Sequence, residues 1–89
     1  MSKYALEKVT QLLASEFADD HIRVNAIAPG MMNARLPEDL VAKVLASQTV
    51  RRQGQPDDLV GGLLYLCSER SSFVNGHTLV IDGGAARRS

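Results

Sequence analysis

The period of apolar positions switches along the chain, and each switch marks an element. From Ser2 to about Phe17, apolar residues fall at Leu6, Val9, Leu13 and Phe17, with a second line through Ala5, Val9 and Leu12. That is helical spacing with a wide apolar face, so the helix calls for partners on two sides. Ile22 to Ala28 then concentrates Ile22, Val24, Ala26, Ile27 and Ala28 and stops at Pro29 and Gly30, which predicts a short, mostly buried strand. A second helix over Pro37 to Ser47 opens with Pro37, Glu38 and Asp39 and carries Leu40, Val41, Val44 and Leu45 on one face. Proline lacks the donor that a first helical turn leaves unused, and carboxylates suit its positive end. The same start signal, Pro56, Asp57 and Asp58, opens a third helix to about Ser68 with Leu59, Val60, Leu63, Leu64 and Cys67. Thr78 to Ile81 is a continuous apolar run closed by Asp82, Gly83 and Gly84, as expected of a strand buried on both faces. Ala85 to Ser89 reads as a frayed tail.

The order helix, strand, two helices, strand places two parallel strands side by side through a helical crossover, which is an α/β arrangement. Two parallel strands are a poor domain by themselves, because such sheets need cover on both faces and their edges present unpaired backbone groups. The pattern therefore reads as part of something larger, a partial domain over residues 1–89. A chain of this length buries only about 60 to 65% of the surface its unfolded form exposes. One cysteine, Cys67, and two distant histidines, His21 and His77, leave no basis for a disulfide or metal scaffold.

Ten basic and ten acidic residues cancel, which removes the electrostatic footprint of a nucleic-acid or anionic-membrane binder. No leader pattern follows Met1 and no apolar run is long enough to span a bilayer. The sequence-level expectation is a cytoplasmic protein with no nucleic-acid and no membrane partner.

Four strings carry a family resemblance: Ser2-Lys3 at a helix start, His21-Ile22-Arg23-Val24-Asn25-Ala26-Ile27-Ala28-Pro29-Gly30, Arg52-Gln53-Gly54-Gln55-Pro56, and Asn75-Gly76-His77 through Val80-Ile81-Asp82-Gly83-Gly84. In this order they resemble the C-terminal part of the short-chain dehydrogenases/reductases. The resemblance implies a portion of a Rossmann-type doubly wound parallel sheet. It also implies NAD or NADP as cofactor and a small-molecule alcohol or ketone as substrate. The family's glycine-rich dinucleotide turn is not among these residues, so the pyrophosphate would lack its helix N-terminus.

By resemblance Lys3 is the catalytic lysine and a cofactor contact, and the family's tyrosine, one helical turn earlier, falls upstream of Met1. An ammonium about 4 Å from a phenol, at an effective dielectric near 20, favours the phenolate by about 4 kcal/mol, or about three pKa units, which makes the tyrosine a usable base. Tyr4 and Lys8 also satisfy the spacing, but that register shortens the interval to Pro29-Gly30 by five residues and loses the family's neighbours. The resemblance further assigns cofactor contacts to Pro29, Gly30 and Met32. Ala34 stands where a threonine often adds a contact, with Asn33 beside it. Met31, Met32 and Leu36 would lie in a substrate lid, where adaptable side chains suit an apolar surface. Asn25, Asp82, Gly83 and Gly84 read as structural.

The resemblance also implies partners: a second copy of the chain, or an intact family subunit, because the first helix and the last helix and strand are the family's subunit contacts. Without its tyrosine and dinucleotide turn, the chain alone is expected to be inactive, and a non-enzymatic association module is the competing reading.

Overall fold

The computed structural model describes residues 2–30 and 37–85. Helix α1 (Lys3–Glu16) starts where Ser2, in extended conformation, turns its Oγ to accept from the Ala5 amide at 3.1 Å. That bond satisfies one of the donors a helix start leaves free. A 3₁₀ turn (Ala18–Asp20) and a left-handed His21 (φ 58°) reverse the chain into strand β1 (Ala26–Pro29). Helices α2 (Glu38–Ser47) and α3 (Asp57–Cys67) each begin beside the proline and two carboxylates that announced them. A second 3₁₀ turn (Glu69–Ser71) leads to strand β2 (Thr78–Ile81). The strands pair in parallel, with Ala26 opposite Thr78 and Pro29 opposite Ile81. The sheet is sandwiched between α1 on one face and α3 on the other.

The first strand is shorter than its pattern. Residues 22–25 alternate like a strand, yet pairing begins only at Ala26, because polar side chains take over the backbone partners upstream. The Arg23 guanidinium donates to the carbonyls of Leu66, Ser68, Ser71 and Val74 and to Ser71 Oγ, at 2.7–3.3 Å. Two of these, the carbonyls of Leu66 and the C-cap Ser68, lie at the end of α3, where intrahelical donors run out. Asn25 donates to Val74 O at 3.1 Å and accepts from the His77 amide at 3.0 Å, while Asn75 Oδ1 accepts from the Val24 amide at 2.9 Å. Asn25 is thus a structural side chain, as its position among apolar neighbours suggested.

Helix α3 meets the sheet through its smallest residue. A methyl group at Gly62 would come within 2.7 Å of Ile81 Cδ1 and 3.1 Å of Leu79 Cδ2, so a larger residue here would have to push these side-chain ends aside. Leu66 is buried, whereas Val60, Leu63, Leu64 and Cys67 are exposed. On α1 the buried positions are Thr10 and Ala14, and Leu12 remains 70% exposed. Each helix therefore packs one face and leaves an apolar flank in water. Helix α2 packs on no other helix or strand among the described residues; its end is tied down through Gln48 and Thr49, described below.

Candidate functional site at the carboxyl edge of the sheet

Both strands end at one edge, where open α/β sheets place their ligands. The Gly30 amide donates to Ile81 O at 2.9 Å, which extends the ladder one residue past β1. Here a glycine is demanded by space. A Cβ on Gly30 would lie 2.7 Å from Asp82 Cα and 2.8 Å from Asp82 Cβ. After β2 the chain turns sharply through Gly83 (φ 64°) and Gly84 (φ 83°), a left-handed region that glycine enters without a steric penalty. Asp82 Oδ1 accepts from the Gly84 amide at 2.9 Å and braces the turn.

The segment after α2 locks onto this turn. Gly83 O accepts from the amides of Thr49 and Val50, at 2.9 and 2.8 Å, and from Thr49 Oγ1 at 3.1 Å. The buried Gln48 holds the same segment from within, its Nε2 donating to Val50 O at 2.8 Å and Arg52 O at 3.0 Å. Arg52 and Asp58 then form a two-pronged ion pair, 2.8 Å on each prong, and Asp58 also accepts from the Gln55 amide at 2.7 Å. These bonds, the arginine's first, hold the Asp58 carboxyl well below the usual carboxylate range. Together these residues wall a depression of about 190 Å³ floored by Gly30, Ile81, Asp82 and Gly83.

The sequence candidates are distributed around this edge. Pro29 and Gly30 lie on it, and Met32, with the rest of the 31–36 lid, lies outside the described residues. Lys3 is an exposed side chain in the first turn of α1. The later half of α1 meets Gly76, with Ala14 Cβ 3.4 Å from where a Gly76 methyl would be. From Ala14 back to Lys3 the helix rises about 16 Å, comparable with the roughly 16 Å that an extended chain covers over the five residues from Gly76 to Ile81. Lys3 is thereby carried toward the carboxyl edge, on the helix face shared with Thr10 and Ala14. Tyr4 and Lys8 sit on the outer face. Tyr4 is 68% exposed, with Lys8 Nζ 5.6 Å from its ring centroid. Sequence reasoning passed over Arg23 and Gln48; a lone arginine inside an apolar run was the available signal for the first. Among the described residues no group of side chains could hold a metal ion, and no helix is long and apolar enough to cross a membrane.

Comparison with known proteins gives the same picture. A family described as enoyl-(acyl carrier protein) reductase matches residues 1–86. The chain is 41% identical over 88 residues to a 3alpha-hydroxysteroid dehydrogenase of Mediterraneibacter gnavus, and 42% identical over 89 residues to the 2-dehydro-3-deoxy-D-gluconate 5-dehydrogenase of Escherichia coli. The matches cover 94% and 93% of this chain and 35% of each relative, so the chain spans about a third of their length. Among solved structures, a short-chain dehydrogenase from Leptospira borgpetersenii with bound NAD+ superimposes with a TM-score of 0.88 at 38% identity, over 93% of this chain and 33% of that one. A 4-hydroxyisoleucine dehydrogenase complexed with NADH and succinate gives 0.83 at 37% identity, over 94% and 36%. The parallel two-stranded sheet between helices is part of a Rossmann-type α/β fold, and the chain belongs to the short-chain dehydrogenase/reductase family.

Proposed function

We propose that these residues form the nicotinamide end of an NAD- or NADP-dependent oxidoreductase that interconverts an alcohol and a ketone. The observation that carries this reading is the carboxyl edge, where Gly30 is pressed against Asp82 and the chain leaves the sheet at Pro29-Gly30. A bound nicotinamide would exchange hydride with the substrate carbon. The backbone after Pro29-Gly30, including Met32, would hold its carboxamide. Lys3 would hold the ribose and keep an adjacent tyrosine phenol acidic. Lys3 is preferred to Lys8 because it shares the sheet-facing side of α1, whereas the Tyr4 and Lys8 pair points outward.

These residues fit one end of the dinucleotide only. No glycine-rich turn is present to take the pyrophosphate. The 89-residue chain alone therefore binds coenzyme no more tightly than about millimolar, worth only about 4 kcal/mol. Fluorescence or calorimetric titration with NADH tests this; saturable micromolar binding would overturn it. The catalytic assignment is tested in a chimera in which this chain replaces the matching third of the E. coli relative. NADH oxidation should be retained there and lost with Lys3→Met, while Lys8→Met leaves it intact. The reverse pattern would select the other register.

A further inference from the structure

The hydrogen bonds that tie residues 22–25 to residues 66–77 form a clasp at the amino end of the sheet, and an asparagine followed by glycine lies inside it. Asn75 Oδ1 accepts from the Val24 amide at 2.9 Å, and the Gly76 amide donates to Val24 O, also at 2.9 Å. Val24 thus grips, one with each of its backbone groups, the two neighbours that can react with each other. The electrophile is Cγ of the Asn75 side chain, and the nucleophile is the main-chain nitrogen of Gly76. Their union closes a succinimide ring, which a side chain on the second residue hinders by crowding the attacking nitrogen. Gly76 has none, and at φ 72° it holds a backbone conformation that other residues rarely adopt. The other two asparagines of the chain, Asn25 and Asn33, are each followed by alanine.

The reaction balances with water as the only co-reactant. The Gly76 nitrogen loses its proton and bonds to Cγ, the Cγ–Nδ2 bond breaks, and the side-chain amide leaves as ammonia. Water then opens the cyclic imide at one of its two carbonyls. Opening at Cγ gives aspartate with the ordinary main chain. Opening at the main-chain carbonyl gives isoaspartate, in which the chain reaches Gly76 through Cγ and a free carboxylate remains on Cα.

The closed clasp opposes the first step at one point. A donor at Oδ1 draws electrons from Cγ, so the bond from the Val24 amide does not protect Asn75. The bond from Gly76 does, because the N–H that donates to Val24 O carries the proton that must leave. We propose that Asn75 is a self-modification site guarded by the bond between Gly76 and Val24: when residues 74–77 lift from residues 24 and 25, Asn75 cyclises onto Gly76 and is converted to isoaspartate or aspartate. The aspartate product keeps an acceptor for the Val24 amide and can close again. The isoaspartate product cannot rebuild the pair. Its Cγ=Oδ1 has become a peptide carbonyl, which in a trans peptide points opposite to the Gly76 N–H, so the two cannot both return to Val24. The carboxylate left on Cα is one carbon short of the reach that Oδ1 had. Modification therefore holds the clasp open beside the bonds by which Asn25 ties Val74 and His77. The inference is independent of the catalytic reading, since it uses no cofactor residue.

The test is incubation of the 89-residue chain in mildly alkaline buffer, folded and in denaturant, followed by peptide mapping with mass spectrometry. In denaturant Asn75 should be converted well ahead of Asn25 and Asn33, to two products of equal mass that chromatography separates. Folding should slow the conversion at least about tenfold, by the same factor that it slows exchange of the Gly76 amide proton, because one bond guards both. Raising denaturant stepwise below the unfolding transition should speed both together. In the purified isoaspartyl chain the amide of Gly76 or of Val24 should have lost its protection, whereas Asn75→Asp should keep both. If Asn75→Asp does not fold, the wild-type comparison of the two rates decides; if the 89-residue chain alone protects no amides, the same comparison in the chimera decides. Conversion in the fold at the denatured rate overturns the inference, as does a slowing that does not track Gly76 exchange, or an isoaspartyl chain with both amides protected. So does a denatured chain in which Asn25 or Asn33 reacts as fast as Asn75.

Discussion

The two ends of the sheet are built by opposite means. At the amino end, side chains do the joining: Arg23, Asn25, Asn75 and Ser71 tie residues 22–25 to residues 66–77. At the carboxyl end the joining is done by backbone and by the lack of side chains, with Gly30 against Asp82 and Gly83 O taking three donors from Thr49 and Val50. A polar clasp is specific and fixed. A glycine-lined edge keeps backbone groups near the surface, where a ligand can approach. On the proposed reading, stability and ligand approach fall to different ends of the same two strands.

Removing the clasp should have the largest effect. Arg23→Ala deletes the donor of five hydrogen bonds to part-buried acceptors, although the carbonyls of Leu66, Ser68, Ser71 and Val74 each keep another donor, from Ser71, Val74 or Asn25. Bonds to a charged donor are worth about 1.5–3 kcal/mol, and five are lost together, so a loss of about 3 kcal/mol is expected. That is a large part of the stability of a small domain. Denaturant unfolding followed by circular dichroism measures it. Arg23→Lys, which keeps the charge but not the planar fork, should recover less than half. A loss below about 1 kcal/mol would mean that the clasp is decorative and the amino end is held by the ladder alone.

This contrast also explains what could be read from the sequence. The element order, the parallel pairing and the turn at Gly83-Gly84 follow from local signals: apolar period, a proline with two carboxylates, and a glycine pair. The start of β1 did not follow, because alternation at Ile22 and Val24 looks the same whether the ladder or a side chain takes the backbone partner. The partners of Arg23 lie more than forty residues away. The sheet contact of α3 was hidden for a related reason. The exposed flank of Val60, Leu63, Leu64 and Cys67 is the more hydrophobic one, while the packed face turns on Gly62, which periodicity does not score. At the site, Pro29 and Gly30 were legible as strand punctuation. The space restriction on Gly30 comes from Asp82, and Gln48 gave no signal at all.

A smaller effect is expected at the carboxyl edge from Gly30→Ala. The added methyl would sit 2.7 Å from Asp82 Cα, so backbone must move, and overpacking of this kind costs about 1–3 kcal/mol. The change should be local. The Gly30 amide, bonded to Ile81 O, should exchange faster, while the amides bonded at the clasp, Val24 and His77, keep their protection. Equal loss of protection at both ends would show that the sheet opens as one unit and would dissolve the comparison.

The smallest effect belongs to the Arg52–Asp58 pair, an ion pair at the carboxyl end. Its atoms are 2.8 Å apart, yet Arg52 is 58% exposed and Asp58 30%, and solvent-screened pairs contribute little. Asp58 is held well below its unfolded value, first by the bond from Arg52 and then by the Gln55 amide. A carboxyl whose folded pKa is depressed stabilises the fold above its unfolded pKa, near 3.9. That contribution is present at neutral pH and fades as pH falls below about 4, through the lower folded pKa. Asp58→Asn should therefore lower the melting temperature slightly at pH 7, and the difference from wild type should shrink as the medium becomes more acidic. High salt should reduce it in the same direction. Paired melts at neutral and acid pH read the sign directly. A difference that grows on acidification would contradict the assignment, whereas no difference at either pH would mean that Asp58 acts through its bond to the Gln55 amide at the start of α3, a bond that asparagine can still accept, and not through its charge.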